Sequence, residues 1–201
     1  RGLRALYILD YSNALYEETV VSRDPISGRE QRATASPQKS ESVAAFARWA
    51  AAAAAHFEGR GIVWEIWNEP NISFWKPRPD VQQYTVLALA TCQAMRAADP
   101  DALIVAPATS EFPWSFLETF FQSGVLEHLN AVSVHPYRSY SRGPETAGAD
   151  YGRLRALIER YAPSGKALMP ILSGEWGYAT HGKGGVTLDT QAAFIARQQL
   201  A

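Results

Sequence analysis

The sequence contains a single cysteine, Cys92, which excludes an internal disulfide and any multi-cysteine metal site. Positive and negative side chains nearly cancel, leaving a formal net charge of -1, and no long run of one sign occurs. Nucleic acids and membrane surfaces attract such runs, so we expect neither as a partner. No stretch is long and apolar enough to cross a bilayer, and no signal peptide opens the chain. That absence carries no information on location, because we expect the chain to be a fragment.

The spacings that mark metal and cofactor sites are also missing. The four histidines lie far apart, without a His-x-His or His-Glu-x-x-His pattern. No glycine-rich phosphate fingerprint follows a predicted strand. We therefore predict neither a metal nor a cofactor, and we disfavour a metal-dependent barrel hydrolase.

Apolar runs that end in polar residues alternate with helical patterns along the chain. The strands are predicted at residues 3–10, 62–67, 102–106, 131–134 and 169–173. The helices are predicted at residues 42–57, 81–97 (capped by Asp80), 115–121, 151–161 and in a last segment capped by Asp189. Strands that alternate with helices, without a hairpin signal, predict a parallel sheet with right-handed crossovers.

The connections after strands are long and rich in aromatic and acidic residues, whereas those after helices are short. This asymmetry is typical of the (β/α)8 TIM barrel, whose active site is built from the strand-to-helix loops. We predict an α/β fold, here a partial barrel of about five β/α units, with a doubly wound sheet as the alternative. Residues 14–39 are predicted to form a long loop. Residues 1–201 are expected to be a single catalytic barrel domain, truncated at both ends.

Two glutamates follow predicted strands directly. Glu69 follows the run at residues 62–67, and Glu175 follows the run at residues 169–173. Pro70 cannot donate a ladder hydrogen bond, so the first of these strands must end beside Glu69. The carboxyl ends of parallel strands form one rim, where barrel folds place their chemistry. Two carboxylates on that rim are what glycoside hydrolysis requires.

Polar neighbours of the two glutamates predict supporting roles. Asn68 is placed to hydrogen-bond a sugar 2-hydroxyl group. His135 and Tyr137, on the strand between the two glutamates, are expected to hold Glu175 ionised, which leaves the proton on Glu69. Further substrate-binding candidates are three tryptophans, whose rings can stack on sugar faces, and one strand-end aspartate: Trp75, Trp114, Trp176 and Asp10.

Each of these residues also has a structural interpretation. A glutamate at a strand end is commonly a surface charge, and buried histidine and tryptophan side chains commonly pack in a core. Glu65 and Trp67 share the strand parity of Glu69, so all three are predicted to face the barrel interior. An interior charge below the rim must be paired, and we predict a structural role for Glu65.

The motifs resemble those of the glycoside hydrolases of clan A. Glu-Ile-Trp-Asn-Glu-Pro-Asn (residues 65–71) is most similar to family 39, which includes β-xylosidases and α-L-iduronidases. Val-His-Pro-Tyr (residues 134–137) resembles strand 6 of that family, and Ser-Gly-Glu-Trp (residues 173–176) resembles strand 7. The resemblance spans barrel strands 3 to 7. Family 5 endoglucanases share the Asn-Glu-Pro and the strand 7 glutamate.

The resemblance implies roles for three residues: Glu69 as the acid/base, Glu175 as the nucleophile and Asn68 as a 2-hydroxyl ligand. It implies a retaining glycoside hydrolase that acts by double displacement on β-linked glycosides or polysaccharides. An endo-acting glucanase of the family 5 type is an alternative, and a catalytically incompetent carbohydrate-binding fragment is an alternative of another class. The expected partner is a carbohydrate, with self-association through exposed sheet edges.

Overall fold

The computed structural model describes residues 2–23 and 28–200, and the strands in those residues form two sheets. They are β1 (Leu6–Leu9), β2 (Thr19–Arg23), β3 (Glu30–Thr34), β4 (Val63–Ile66), β5 (Leu103–Ser110), β6 (Ala131–His135) and β7 (Ile171–Ser173). The main sheet has five strands in the order β1-β4-β5-β6-β7, and every neighbouring pair is parallel. This order never reverses, so the sheet has no topological switch point of the doubly wound kind. The predicted partial barrel is confirmed.

Four α-helices lie between the successive parallel strands: α1 (Ser40–His56), α2 (Val81–Ala98), α3 (Trp114–Gln122) and α4 (Ala147–Tyr161). A fifth, α5 (Leu188–Gln198), follows β7. Asp80 caps α2 as predicted, because its carboxylate accepts hydrogen bonds from two backbone amides of the first turn. For α5 the predicted cap was wrong: Thr187, not Asp189, accepts a hydrogen bond from Thr190 N. None of the helices in the described part of the chain is both long and apolar enough to span a membrane.

The predicted loop at residues 14–39 contains an antiparallel hairpin, β2–β3. The pattern did not reveal it because most residues of both strands are exposed, so no alternating apolar face is needed. Residues 24–27, between the two strands, lie outside the described residues. After the hairpin, Ser36 and Lys76 exchange two hydrogen bonds of 3.0 and 2.8 Å, which tie it to the loop after β4.

The two faces of the main sheet differ in polarity. Trp64 and Ile66 of β4 join the buried apolar cluster that the helices cover. Residues that point to the other face include Glu65, Ser133 and His135, all fully buried and all polar. The alternation follows from the two-residue period of a strand. The interior of the partial barrel is therefore polar near the rim.

Trp67 departs from the predicted parity. β4 ends at Ile66, and Trp67 adopts a left-handed backbone conformation with φ of 67°. Its ring is fully buried and contacts Phe46 of α1 at 6.0 Å and Trp75 at 5.1 Å between ring centroids. The prediction that Trp67 faces the barrel interior was wrong, because period-2 alternation holds only while the backbone stays extended.

Candidate active site

Glu69 is presented on a sharp turn directly after β4. Its backbone also has a positive φ, 47°, which is uncommon for a residue with a side chain. The amide of Glu69 donates to the carbonyl of Ala108, at 3.0 Å, and this bond anchors the turn to the end of β5. The Glu69 side chain is only 9% exposed, whereas that of Glu175 is 36% exposed. The two predicted acidic groups therefore sit at different depths of the same rim.

His135 lies at the centre of the acidic cluster. Its Nδ1 is 3.1 Å from Oε1 of Glu69 and 3.7 Å from Oε2 of Glu175. Its Nε2 is 3.7 Å from Oε2 of Glu65. One oxygen of Glu69, one oxygen of Glu175 and a ring nitrogen of His135 all lie within 4.8 Å of one another. The structure thus brings together both predicted catalytic glutamates and the predicted histidine.

The charge of His135 follows from its neighbours. Burial opposes the charged ring, but the carboxylates of Glu65, Glu69 and Glu175 outweigh it and raise the pKa of His135 from 6.5 to about 9. At neutral pH the ring is therefore an imidazolium, and both nitrogens carry protons. It donates a hydrogen bond to Glu69 and faces Glu175 as an unlike charge.

Tyr137 supplies a hydrogen-bond donor to Glu175. Its hydroxyl donates to Oε2 of Glu175 over 3.2 Å. Burial, together with the Glu175 carboxylate, raises the pKa of Tyr137 to about 12, so the phenol stays protonated in the physiological range. Tyr137 as a donor and His135 as a nearby ring nitrogen thus both face Oε2 of Glu175.

Glu69, His135 and Glu175 are also a donor set of the kind that could hold a metal ion. A histidine ligand must offer a free nitrogen lone pair. In the structure Nδ1 of His135 contacts Glu69 at 3.1 Å and Nε2 faces Glu65 at 3.7 Å.

Asn68 is held by a residue that the sequence did not single out. Its Nδ2 donates to the hydroxyl of Tyr11 over 2.9 Å, while its Oδ1 is buried without a partner among the described residues. Tyr11 packs edge-on against Trp67, at 5.4 Å between ring centroids. The Oδ1 atom is therefore available to accept a hydrogen bond. Tyr11 directly follows a predicted strand, which is the signal that would have marked it.

Two of the predicted tryptophans are not placed for sugar stacking. Trp75 is fully buried, lies between Trp67 and Tyr84, and donates to Gln83 over 3.1 Å. Its prediction as a substrate residue was wrong, because a chain reversal after Pro70 turns the loop into the core.

Trp114 begins α3, and its ring is in contact with two other side chains. Phe112 stacks on it at 5.5 Å between centroids, and the guanidinium of Arg153 lies 4.0 Å from the ring centroid. Stacking against a sugar would require one of these contacts to open, so the structure does not support its predicted role.

The two remaining candidates lie at either side of the rim. Trp176 directly follows Glu175 and is partly exposed, with its indole N–H unpartnered among the described residues. Asp10 is partly buried beside Tyr11, and burial raises the pKa of Asp10. Both Asp10 and Tyr11 line a cavity of about 570 Å³ that extends to Trp49 of α1. The positions of Trp176 and Asp10 are both compatible with ligand contact.

A parallel β/α sheet with an Asn-Glu-Pro turn on one strand and a second glutamate on another defines the class: a barrel of the clan A glycoside hydrolase type. The chain belongs to the cellulase family, glycosyl hydrolase family 5, whose family model matches residues 6–199. The predicted clan is thereby confirmed. The particular likeness to family 39 rests on solved structures.

One solved structure similar to this chain is a family 39 glycoside hydrolase from Bacteroides cellulosilyticus WH2. The two are 21% identical with a TM-score of 0.73, over 99% of this chain and 40% of that one. A family 39 β-xylosidase from Caulobacter crescentus is 26% identical, with a TM-score of 0.58 over 78% of this chain and 35% of that one.

A bacterial orthologue of human α-L-iduronidase is 16% identical, with a TM-score of 0.56 over 79% of this chain and 30% of that one. The chain therefore spans less than half the length of the solved structures named above. No curated protein matches it.

Proposed function

We propose that this chain carries the catalytic centre of a retaining β-glycosidase that acts by double displacement. The proposal rests on the close approach of the two acidic groups, since oxygens of Glu69 and Glu175 lie within 4.8 Å of each other. Retaining enzymes hold their carboxyl groups about 5–5.5 Å apart, whereas inverting enzymes leave about 6.5–9.5 Å for a water molecule. The shorter spacing supports direct attack by one carboxylate.

In the first step Glu69 protonates the glycosidic oxygen while Glu175 attacks the anomeric carbon. The bond to the leaving group breaks, and an ester forms between Glu175 and the sugar. Glu175 is assigned as the nucleophile because the likeness of Ser-Gly-Glu-Trp to strand 7 of family 39 implies that role and because Tyr137 donates to its Oε2. Glu69 is assigned as the acid because it follows Asn68 in the Asn-Glu-Pro turn, the position at which the clan A resemblance implies the acid/base.

In the second step Glu69 takes a proton from water, and the water oxygen attacks the anomeric carbon. The ester bond to Glu175 breaks, and both glutamates return to their starting protonation states. His135 lies close to both carboxylates throughout. Negative charge passes from Glu175 to Glu69 when the ester forms, so a single imidazolium between them pairs with whichever group is charged.

Asn68 is proposed to accept a hydrogen bond from the sugar 2-hydroxyl through its unpartnered Oδ1. Tyr11 fixes the amide so that this oxygen cannot exchange places with Nδ2. Hydrogen bonds to that hydroxyl strengthen in the oxocarbenium-like transition state. Asn68 would therefore contribute more to turnover than to substrate affinity.

A β-xyloside is the first substrate to test, because the Caulobacter enzyme at 26% identity is a β-xylosidase. The match to the cellulase family favours a second candidate, an endo-acting enzyme on β-glucans. Chain length of the preferred substrate separates them, since an exo enzyme releases single sugars and an endo enzyme cuts inside a polymer.

The decisive experiment measures release of 4-nitrophenol from a panel of β-xyloside, β-glucoside, β-galactoside and α-arabinoside, with cello-oligosaccharides in parallel. We expect turnover of at least one substrate and its loss in Glu175→Ala. Glu58→Ala is the matched control, since this glutamate is exposed in the turn after α1. Turnover that survives in Glu175→Ala would overturn the proposal. Binding of oligosaccharides without turnover would favour the carbohydrate-binding alternative.

A further inference from the structure

Glu65 is a buried carboxylate that the two-step reaction does not use. It lies within β4, is fully buried, and both its oxygens lack a hydrogen-bond partner among the described residues. Isolated buried charges are costly, so a charge retained there needs a compensating partner. The partner is His135, whose Nε2 also lacks a hydrogen bond and lies 3.7 Å away.

Gly174 leaves the space in which this pair meets. A Cβ atom at that position would lie 2.8 Å from Oε1 of Glu65 and 3.0 Å from Nε2 of His135. Both distances are too short, so any side chain here would push the pair apart. The motif residue before Glu175 thus has a specific steric reason to be glycine.

We propose that Glu65 is a positioning residue that holds the His135 ring in its orientation between the two reacting glutamates. This inference rests on the proposed glycosidase function and extends it to a residue that touches no substrate.

The physical argument concerns both ends of the imidazole ring. Glu69 and Glu175 face Nδ1, and their charges change as the reaction proceeds. Glu65 faces Nε2 from the opposite side, is fully buried, and takes part in neither step of the reaction. A fixed group at Nε2 holds the ring in place while the negative charge at Nδ1 passes from Glu175 to Glu69. Without it, only groups whose charge changes during the reaction would orient the ring.

The test compares His135 in the parent chain and in Glu65→Gln, an isosteric change that removes the charge. Two-dimensional NMR of the imidazole nitrogens follows the titration of each of the four histidines, and His135→Gln assigns the signal. The pKa of His135 should fall from about 9 in the parent by about 1 unit or more in Glu65→Gln. Glu65→Asp, which keeps the charge at a longer distance, should restore part of the shift.

Glu17→Gln is the matched control, because Glu17 is also buried but accepts its hydrogen bonds from the amides of Gln38 and Lys39. It should leave the titration of His135 unchanged. Gly174→Ala places a methyl group against Glu65 and His135 and so separates them without changing either residue. It should also lower the pKa of His135. It keeps the test decisive if Glu65→Gln does not fold. An unchanged His135 titration in both variants would overturn the inference.

Kinetics separate this inference from the function on which it rests. In Glu65→Gln, kcat should fall about 10-fold or more with little change in KM. The high-pH limb of the plot of kcat against pH should move to lower pH. An active parent whose pH profile is unaltered by Glu65→Gln would refute the role of Glu65 and leave the glycosidase standing. A parent inactive on every glycoside would refute the glycosidase, whereas the NMR titration would still report whether Glu65 controls His135.

Discussion

The side chain of Asn71 forms two hydrogen bonds with the backbone of Ser110. Its Oδ1 accepts from the amide at 2.8 Å, and its Nδ2 donates to the carbonyl at 3.0 Å. Ser110 ends β5, so this contact fastens the turn that carries Glu69 to the neighbouring strand. The turn needs such support because a left-handed backbone at a residue with a side chain costs about 1 kcal/mol or more.

Asn71→Ala should therefore reduce both stability and turnover. It leaves a partly buried amide and carbonyl unpaired, so the free energy of unfolding should fall by about 1–3 kcal/mol in urea denaturation. Asn71→Asp keeps the acceptor and loses the donor, and should have an intermediate effect. Full turnover in a destabilised Asn71→Ala would show that the contact supports the fold without positioning Glu69.

Glu69→Ala should lose activity in a way that depends on the leaving group. Substrates with good leaving groups need little protonation, so their turnover should fall less than that of poor ones. Added azide should raise the rate with activated substrates by replacing the activated water. Equal losses across a series of substituted phenyl glycosides would argue against Glu69 as the acid.

The charged state of His135 should make stability depend on pH. The pKa of His135 in the folded chain, about 9, is above the usual 6.5. Its contribution to the free energy of unfolding is therefore complete below about pH 6.5 and is lost as the pH rises through 9. The size of that contribution is roughly 3 kcal/mol. Urea denaturation between pH 6 and 9.5 measures it.

The matched variant for this pH series is His135→Gln. In this variant the free energy of unfolding should decline less between pH 6.5 and 9. Tyr137 also titrates with a raised pKa, about 12, so it does not contribute in this range. A parent chain whose stability is constant from pH 6.5 to 9 would contradict a charged His135.

Tyr11→Phe should weaken turnover by a smaller factor than a change at either glutamate. It removes the hydroxyl that accepts a hydrogen bond from Asn68 and so frees the amide to rotate. We expect kcat to fall about 3- to 10-fold, which corresponds to roughly 1 kcal/mol. Tyr7→Phe, on the exposed edge strand, is the control and should leave kcat unchanged.

The chain, studied alone, should associate through its sheet edges. β1 and β7 flank the main sheet, and Tyr7 of β1 is 43% exposed. Unpaired edge strands without a charged residue favour strand addition between molecules. Light scattering after size-exclusion chromatography should show species larger than the 22.1 kDa monomer, and Tyr7→Lys should reduce them. A monomer at all concentrations would show that the edges are protected in solution.

The parallel sheet could be predicted because each strand is a short apolar run and each crossover is a helix with its own periodicity. The hairpin could not, because most residues of its two strands are exposed and the one buried residue, Ser22, is polar, so no apolar alternation is present to detect. Trp75 was predicted to bind sugar for a related reason. An aromatic ring in a loop can face either solvent or core, and only the path of the loop after Pro70 placed it beside Trp67 and Tyr84.

The sequence by itself determined the succession of the five parallel strands along the chain and the glutamates that follow β4 and β7. Those features depend on local patterns: Pro70 ends one strand, and the apolar run before Glu175 forms another. Only the tertiary structure decided that His135 stands between Glu69 and Glu175 with Glu65 behind it. These four residues come from three different strands and the loops that follow them, so their distances depend on strand register and on left-handed turns, and neither leaves a periodic signal in the sequence.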